Sequence, residues 1–246
     1  MEGVLAVVVI IAVIALGVVV AIHAHKKRQE RIAALSAIAA KRGWRFSEQK
    51  FRDHDEQYAH FEIFRRGHSR AAYDTMAGAL DVFGENSYAQ AGDFTYKVTS
   101  GSGKNRSTRT YHFSYLIIEL PYRIVPDVLV RRENLFDKFT DMIGFDDIDF
   151  ESSEFSKKFC VKSPDKRFAY DLITPRMMDH FLQGSPVPGL PAIDLENSRI
   201  CLSDGRSRWQ PEHFEQAIAW AERFFELWPE HLLATLRERW GVDSSP

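Results

Sequence analysis

Nineteen consecutive apolar residues dominate the pattern at the start of the chain. From Val4 to Ile22 there are eight Val, four Ile, four Ala, two Leu and Gly17, with no polar side chain among them. As a helix rising about 1.5 Å per residue this run reaches about 28 Å, which matches a hydrocarbon core of roughly 30 Å and predicts one membrane span. Each of its Val, Ile and Leu residues favours insertion by about 0.3–0.6 kcal/mol near the bilayer centre. Met1-Glu2-Gly3 carries no Lys or Arg, His23 interrupts any small-residue cleavage pattern, and the run exceeds a signal-peptide core. The segment therefore reads as a retained anchor. Helical spacing then continues through Ile32, Leu35, Ile38 and Ala39 to a stop at Gly43, which predicts a stalk continuous with the span.

Beyond the stalk the period changes. Asp53 to Gly67 mixes helical and loop character around Phe61 and Phe64. Phe94, Tyr96 and Val98 alternate with polar residues, as do Tyr111, Phe113, Tyr115 and Ile117 after a Ser100–Ser107 turn. That alternation predicts a hairpin with one aromatic face. Ala71–Leu80 reads as a third strand of an antiparallel meander, and Val128–Val130 as a short edge. A helix is predicted over Asn134–Ile143, with Gly144 ending it.

Proline and glycine punctuate the remainder. Phe155, Phe159 and Val161 suggest a strand ending at Ser163-Pro164-Asp165, read as a cap and first turn of a helix through Ile173. Thr174-Pro175 opens a second helix that stops at Gly184. Two short strands, Ala192–Leu195 and Arg199–Leu202, flank an Asn197-Ser198 turn. Pro211 opens a helix whose Phe214, Ala217, Ile218, Ala221, Phe224, Phe225 and Trp228 form one stripe, and Pro229 breaks it before a final apolar segment. The expected fold class is α+β: a single N-terminal transmembrane helix, then a mixed domain with an antiparallel β-meander and amphipathic C-terminal helices. The expected organisation is an anchor over 1–25, a juxtamembrane helix over 26–43, a soluble domain over 44–241 and a tail over 242–246. The domain is either one mixed sheet or two subdomains, 44–144 and 145–241.

Charge adds direction. Residues 26–52 carry nine Lys or Arg against Glu30 and Glu48, a net of +7, and the local cations all follow the span. The positive-inside rule then places the three-residue N-terminus outside and the C-terminal domain in the cytoplasm. A polybasic stretch of this kind suits an anionic leaflet. The net charge of the whole chain is −2, which argues against a nucleic-acid partner. Cys160 and Cys201 are too few for a disulfide framework, although pairing of their strands would bring the thiols near each other.

The chemistry that can be tested by motif is missing: there is no G-x-S-x-G, H-E-x-x-H, C-x-x-C or G-x-G-x-x-G. Ser100-Gly101-Ser102-Gly103-Lys104-Asn105 has neither the spacing nor the following helix of a phosphate loop. No cofactor and no metal site is expected. Asp146, Asp147, Asp149, Glu151 and Glu154 form an acidic segment whose alternate members would share a strand face. Asp53, His54, Asp55 and His60 are a second set of possible metal ligands, and Arg65, Arg66, His68 and Arg70 a second basic patch.

Over Phe155–Leu182 the pattern F-x-V-x-S-x-D (Phe159, Val161, Ser163, Asp165) followed by T-P-x-x-M (Thr174, Pro175, Met178) resembles a bacterial membrane-anchored family known only as a domain of unknown function. The resemblance covers about an eighth of the chain. It implies a bacterial membrane setting and no activity. The preferred expectation is a membrane-tethered module at the cytoplasmic face whose partners are the lipid bilayer and a protein. Lys104, Arg106 and Arg109 on the hairpin are its candidate lipid contacts. The alternative is a membrane-tethered metal-dependent hydrolase or transferase using residues 146–154; the sequence leaves open whether the chain is an enzyme.

Overall fold

A computed structural model describes residues 2–132 and 147–240, the side chains of residues 2–9, Lys104 and Trp240 excepted. The helix expected over Asn134–Ile143, Asp146, the tail over 242–246 and the Lys104 side chain lie outside the described residues. The apolar run and the stalk form one helix, α1 (Glu2–Lys41), ended by Gly43 at φ +69°. It is long and apolar enough to cross a membrane, and its apolar side chains from Ile10 to Ile22 are exposed. The stalk half differs, because Leu35 and Ala39 are buried.

The strands are β1 (Arg45–Ser47), β2 (His68–Val82), β3 (Glu85–Ser100), β4 (Ser107–Glu119), β5 (Val128–Arg132), β6 (Phe159–Lys162), β7 (Ile193–Glu196) and β8 (Arg199–Leu202). They make one antiparallel sheet in the order β1-β2-β3-β4-β8-β7-β5-β6. The α+β fold, with its meander and C-terminal helices, is as the pattern predicts. β4 pairs with β8 from Leu116↔Leu202 to Glu119↔Arg199, so the sheet runs through both halves of the chain. β2 and β3 turn over Phe83-Gly84, both at positive φ (+59° and +86°), the backbone a two-residue hairpin requires.

Each sheet face has its own cover. The stalk, α5 (Lys166–Leu172), α6 (Pro175–Gln183), α7 (Pro211–Glu226) and α8 (Glu230–Trp240) close one face over Met76, Leu80, Leu116 and Ile118. The apolar stripe of α7 is buried there as its spacing predicts. Two short helices, α2 (His54–Gln57) and α3 (Glu62–Arg65), cover the other face, where Phe61 and Phe64 meet the hairpin's aromatic side, Phe94, Phe113 and Tyr115.

Four local expectations are corrected. Phe155 belongs to a helix, α4 (Ser153–Lys158), capped by the Ser152 side chain. Asp165, not Ser163, caps α5 by accepting from the Phe168 N–H, while the Ser163 hydroxyl donates to the Asp127 carbonyl. β5 is not an edge, since β7 and β6 flank it. Cys160 and Cys201 are buried thiols on β6 and β8 that form no disulfide, three strand spacings and so at least about 14 Å apart.

Candidate functional site

Arg28 and Arg31, one turn apart on the stalk, face the sheet together. Arg28 donates through both Nη atoms to Asp74, the Nη2 bond being 2.6 Å. Asp74 sits at φ +52° where the β2–β3 register shifts between Tyr73 and Met76, a left-handed position that Asp tolerates better than most residues. Arg31 donates from Nη2 to both oxygens of Asp93 (2.8 and 3.0 Å) and from Nη1 to the Trp209 carbonyl (2.8 Å). Asp93 also accepts from Arg208 Nε (3.1 Å) and the Ser114 hydroxyl (2.5 Å), whose oxygen takes the Trp209 N–H. Both carboxylates are wholly buried, so pairing is what makes their charge tolerable. The hydrogen bonds to Asp74 raise the Arg28 pKa above its ordinary value.

These pairs correct the reading of residues 26–52 as a basic stretch free for a leaflet. Arg28 and Arg31 bind Asp74 and Asp93, Lys41 binds Glu215 at 2.8 Å, and Arg42 binds Glu222 at 3.0 Å. Four of the nine cations are therefore held by acids of the fold.

The same contacts set a direction. Arg28 meets Asp74, whereas Trp44, just past the helix end, lies on Gly78 and donates to the Ala79 carbonyl at 2.8 Å. β2 thus runs away from the apolar half of α1, as α1 itself does, and β3 returns toward it. From Asp93 to Ser100 is about 24 Å of strand, while Ile22 lies only about 13 Å back along the helix from Arg31. Even at a crossing of about 45° the strand covers about 17 Å of that height. The β3–β4 turn therefore reaches the level at which the apolar run ends. It does so as an arm: Lys97, Val98 and every residue from Ser107 to His112 are exposed. Arg106 and Arg109 lie on this arm.

Two clefts open at this end. One, of about 540 Å³, has Ala24, Lys27, Arg28, Arg31 and Arg208 in its walls. The other, of about 700 Å³, lies on the opposite sheet face at the root of the arm, where Tyr96, Val98 and Tyr111 meet Arg65, Arg66 and Arg206. Tyr96 and Tyr111 stack at 5.2 Å with planes 15° apart. Arg66 is fixed by two 3.0 Å bonds to Glu62 and one to the Gly205 carbonyl. At the far end of the domain a groove of about 950 Å³ is instead edged by Asp81, Glu222, Glu226 and Glu230.

The other candidates have local roles. Asp147 contacts the Cys160 thiol at 2.9 Å and Lys162 at 3.4 Å, and Glu154 pairs with Lys158 at 2.8 Å. Among the described residues no group of three His, Cys, Asp or Glu is placed to hold a metal ion. Asp55 binds Arg70 at 2.6 Å. His54 is enclosed by Tyr58, Phe64, Phe94 and Tyr115, and burial drives its pKa down to about 3. Burial also lowers His60, to about 4. On the same sheet face, burial followed by the like charges of Asp194 and Asp127 pushes Glu196 up to about 7, and burial raises Asp194 to about 6 despite Arg131 at 3.5 Å. In the resemblance segment, Phe159, Val161 and Met178 are core, Asp165 and Thr174 are helix caps, and Ser163 ties the loop to Asp127.

Asp74, Asp93, Arg208 and the Tyr96–Tyr111 cleft were not found by sequence reasoning. The available signal was a carboxylate in the middle of each long apolar strand, a position where a charge needs a buried partner.

No family model matches the chain, and no curated protein matches it. Among solved structures it is similar to the crystal structure of the mycobacterial trehalose monomycolate transport factor A, with a TM-score of 0.55 and 10% identity over 84% of this chain and 96% of that one. At that identity the likeness establishes a shared fold and extends over nearly the whole of the neighbour.

Proposed function

We propose that this chain is a single-pass protein of a bacterial inner membrane whose sheet domain stands on the cytoplasmic face. There it serves as an accessory module for moving an amphiphilic lipid, through contacts with the anionic leaflet and a protein partner. The clamp of Arg28 and Arg31 on Asp74 and Asp93 carries this reading, because it ties the domain to its own anchor with the arm directed back at the bilayer. The cations after the span support the cytoplasmic orientation. The fold of a mycobacterial transport factor supports a role in lipid traffic. Kinship with the bacterial membrane-anchored family of unknown function belongs to the same proposal.

Arg106, Arg109 and Lys104 are the arm's lipid contacts in this scheme. Each cation near an anionic surface contributes about 1 kcal/mol and loses it beyond a Debye length of roughly 8–10 Å. Together they orient the domain; the apolar helix does the anchoring. The test is amide exchange over residues 97–110 of the full chain, in nanodiscs of phosphatidylcholine with and without phosphatidylglycerol. Exchange slows with phosphatidylglycerol, less so at high salt, and changing Lys104, Arg106 and Arg109 together to Gln removes the difference. Exchange indifferent to lipid charge contradicts the proposal.

A further inference from the structure

At the far end of the domain α7 gives way to α8 beside the β2–β3 turn, and the groove of about 950 Å³ opens there. Its apolar lining is Phe83, Phe225, Trp228 and Leu233. Phe83 packs its ring on Phe225 and Trp228, at 5.5 and 5.1 Å, from a backbone held at φ +59°. Asn or Gly would be unstrained at that place in the turn, and a bulky residue is not. Phe83 and Leu233 stay half-buried. Trp228 is 4% exposed and its Nε1 has no acceptor among the described residues, an orphaned donor of a kind that folded proteins rarely leave. The rim is acidic. Arg42 binds Glu222 at 3.0 Å and Arg223 binds Glu226 at 2.6 Å, whereas Asp81 and Glu230 are exposed and have no ion-pair partner among the described residues. Asp81 accepts the Gly84 N–H through Oδ1 at 2.9 Å. Arg237, the base in the lining, donates to the Tyr122 hydroxyl.

We propose that this groove docks a basic amphipathic helix of a protein partner, with the helix's apolar face on Phe83, Phe225 and Leu233 and its flanking Lys or Arg residues on Asp81 and Glu230. The inference rests on the protein contact proposed above and gives that contact a place and a chemistry. Charge selects the sign of the occupant, because the rim repels acidic segments and attracts basic ones. Position removes the bilayer, since the arm is directed at the leaflet and this end away from it. The walls are side chains of two helices and a turn, the kind of groove in which a partner helix seats apolar residues at i, i+3, i+4 and i+7. A small cation would meet the acids and leave Phe83 and Leu233 in water. An amphipathic helix covers both.

The test places a photoreactive benzophenone residue at Ala234, exposed in the lining, in the full chain in phosphatidylcholine nanodiscs. The probe is a synthetic Leu/Lys peptide of about 18 residues, long enough to form a helix, with Leu at the spacing of one helical face. It is expected to give about tenfold more adduct than a peptide of the same composition with its Leu residues scattered around the helix. Asp81→Asn with Glu230→Gln raises the half-saturating peptide concentration about fivefold, and high salt does the same to the unsubstituted chain. Asn at position 81 keeps the Oδ1 acceptor for Gly84, and an unchanged thermal midpoint certifies the fold; the salt titration stands whether or not that variant folds. Asp149→Asn with Glu151→Gln, acids outside the groove, leaves the peptide's half-saturation in place. Equal adducts from the scattered peptide, or equal weakening by the second pair of variants, reduce the effect to diffuse charge and overturn the proposal. A chain-to-chain adduct without peptide also overturns it, and makes the groove a contact between copies. No adduct at Ala234, with an arm whose exchange still responds to phosphatidylglycerol, overturns the groove and leaves the membrane reading standing. The peptide at Ala234 with an indifferent arm does the reverse.

Discussion

Replacing Asp93 with Asn removes the carboxylate that receives Arg31, Arg208 and Ser114. The consequence depends on what each partner can do next. Arg208 is 44% exposed and turns to water, but Arg31 is only 11% exposed and its Nε already has no partner among the described residues. Its charge is left buried against a neutral amide. Breaking a buried pair in this way costs about 3–5 kcal/mol, since the desolvation penalty stays after the attraction is gone. For a domain of about 200 residues that corresponds to a fall in thermal midpoint of roughly 6–20 °C. The assay is thermal unfolding of the full chain in detergent, with Arg31→Met and the double variant completing a cycle that isolates the pair. Asp74→Asn is the internal comparison: Arg28 is 37% exposed, water replaces much of what it loses, and about 1–2 kcal/mol is expected. A shift below about 1 °C for Asp93→Asn, or a cycle with no coupling, would refute the reasoning.

Four further outcomes follow from the same packing. Phe224 is fully buried in the α7 stripe, so Phe224→Ala costs about 3–5 kcal/mol in urea unfolding. Gly67→Ala forces a side chain into a left-handed residue against the Lys97 carbonyl, and loosens the arm's root by about 1–3 kcal/mol, read as faster exchange at Lys97. Glu196 and Asp194 keep protons in the fold that the unfolded chain has released, so their contribution to stability is greatest below the ordinary carboxylate range and is lost as pH rises through about 6 and 7. Glu196→Gln should therefore raise the midpoint at pH ~8 more than at pH ~5. Asn105-Arg106-Ser107 lies on the exposed arm and is a glycan acceptor in a lumen; it stays unmodified when the chain inserts into microsomes, and a glycan there would reverse the topology.

How far the fold was legible depended on whether one period ran undisturbed. The stalk continued the helical spacing of Ile32, Leu35 and Ile38 into Gly43, and the hairpin's aromatic alternation survived from Phe94 to Ile117, so both are where the pattern put them. The first half of β3 was silent because Ala89, Ala91 and Gly92 are small for tertiary reasons: they lie within the sheet, and a Cβ on Gly92 would stand 3.0 Å from Thr75. Phe155 was assigned to a strand because its two-residue neighbourhood fits either period, and its helix depends on the Ser152 cap. The basic stretch was visible as charge, but its partition between fold and surface was not. Asp74 and Asp93 lie 46 and 62 residues from their arginines, and only the folded sheet brings them together. Arg106 and Arg109 were recognised as a cationic tip, while the cleft behind them needed α3, β3, β4 and the loop after β8 to converge.

The central claim is that the clamp directs the β3–β4 arm at the bilayer and the β2–β3 turn away from it. Depth measured by quenching from headgroup-labelled lipids tests it directly, with a fluorophore at Ser102 on the arm or at Asn86 beside the opposite turn, in the full chain in nanodiscs. Strong quenching at Ser102, comparable to that of a label at Ala24, together with none at Asn86, is the predicted result. Equal quenching at both positions, or quenching at Asn86 alone, contradicts the account.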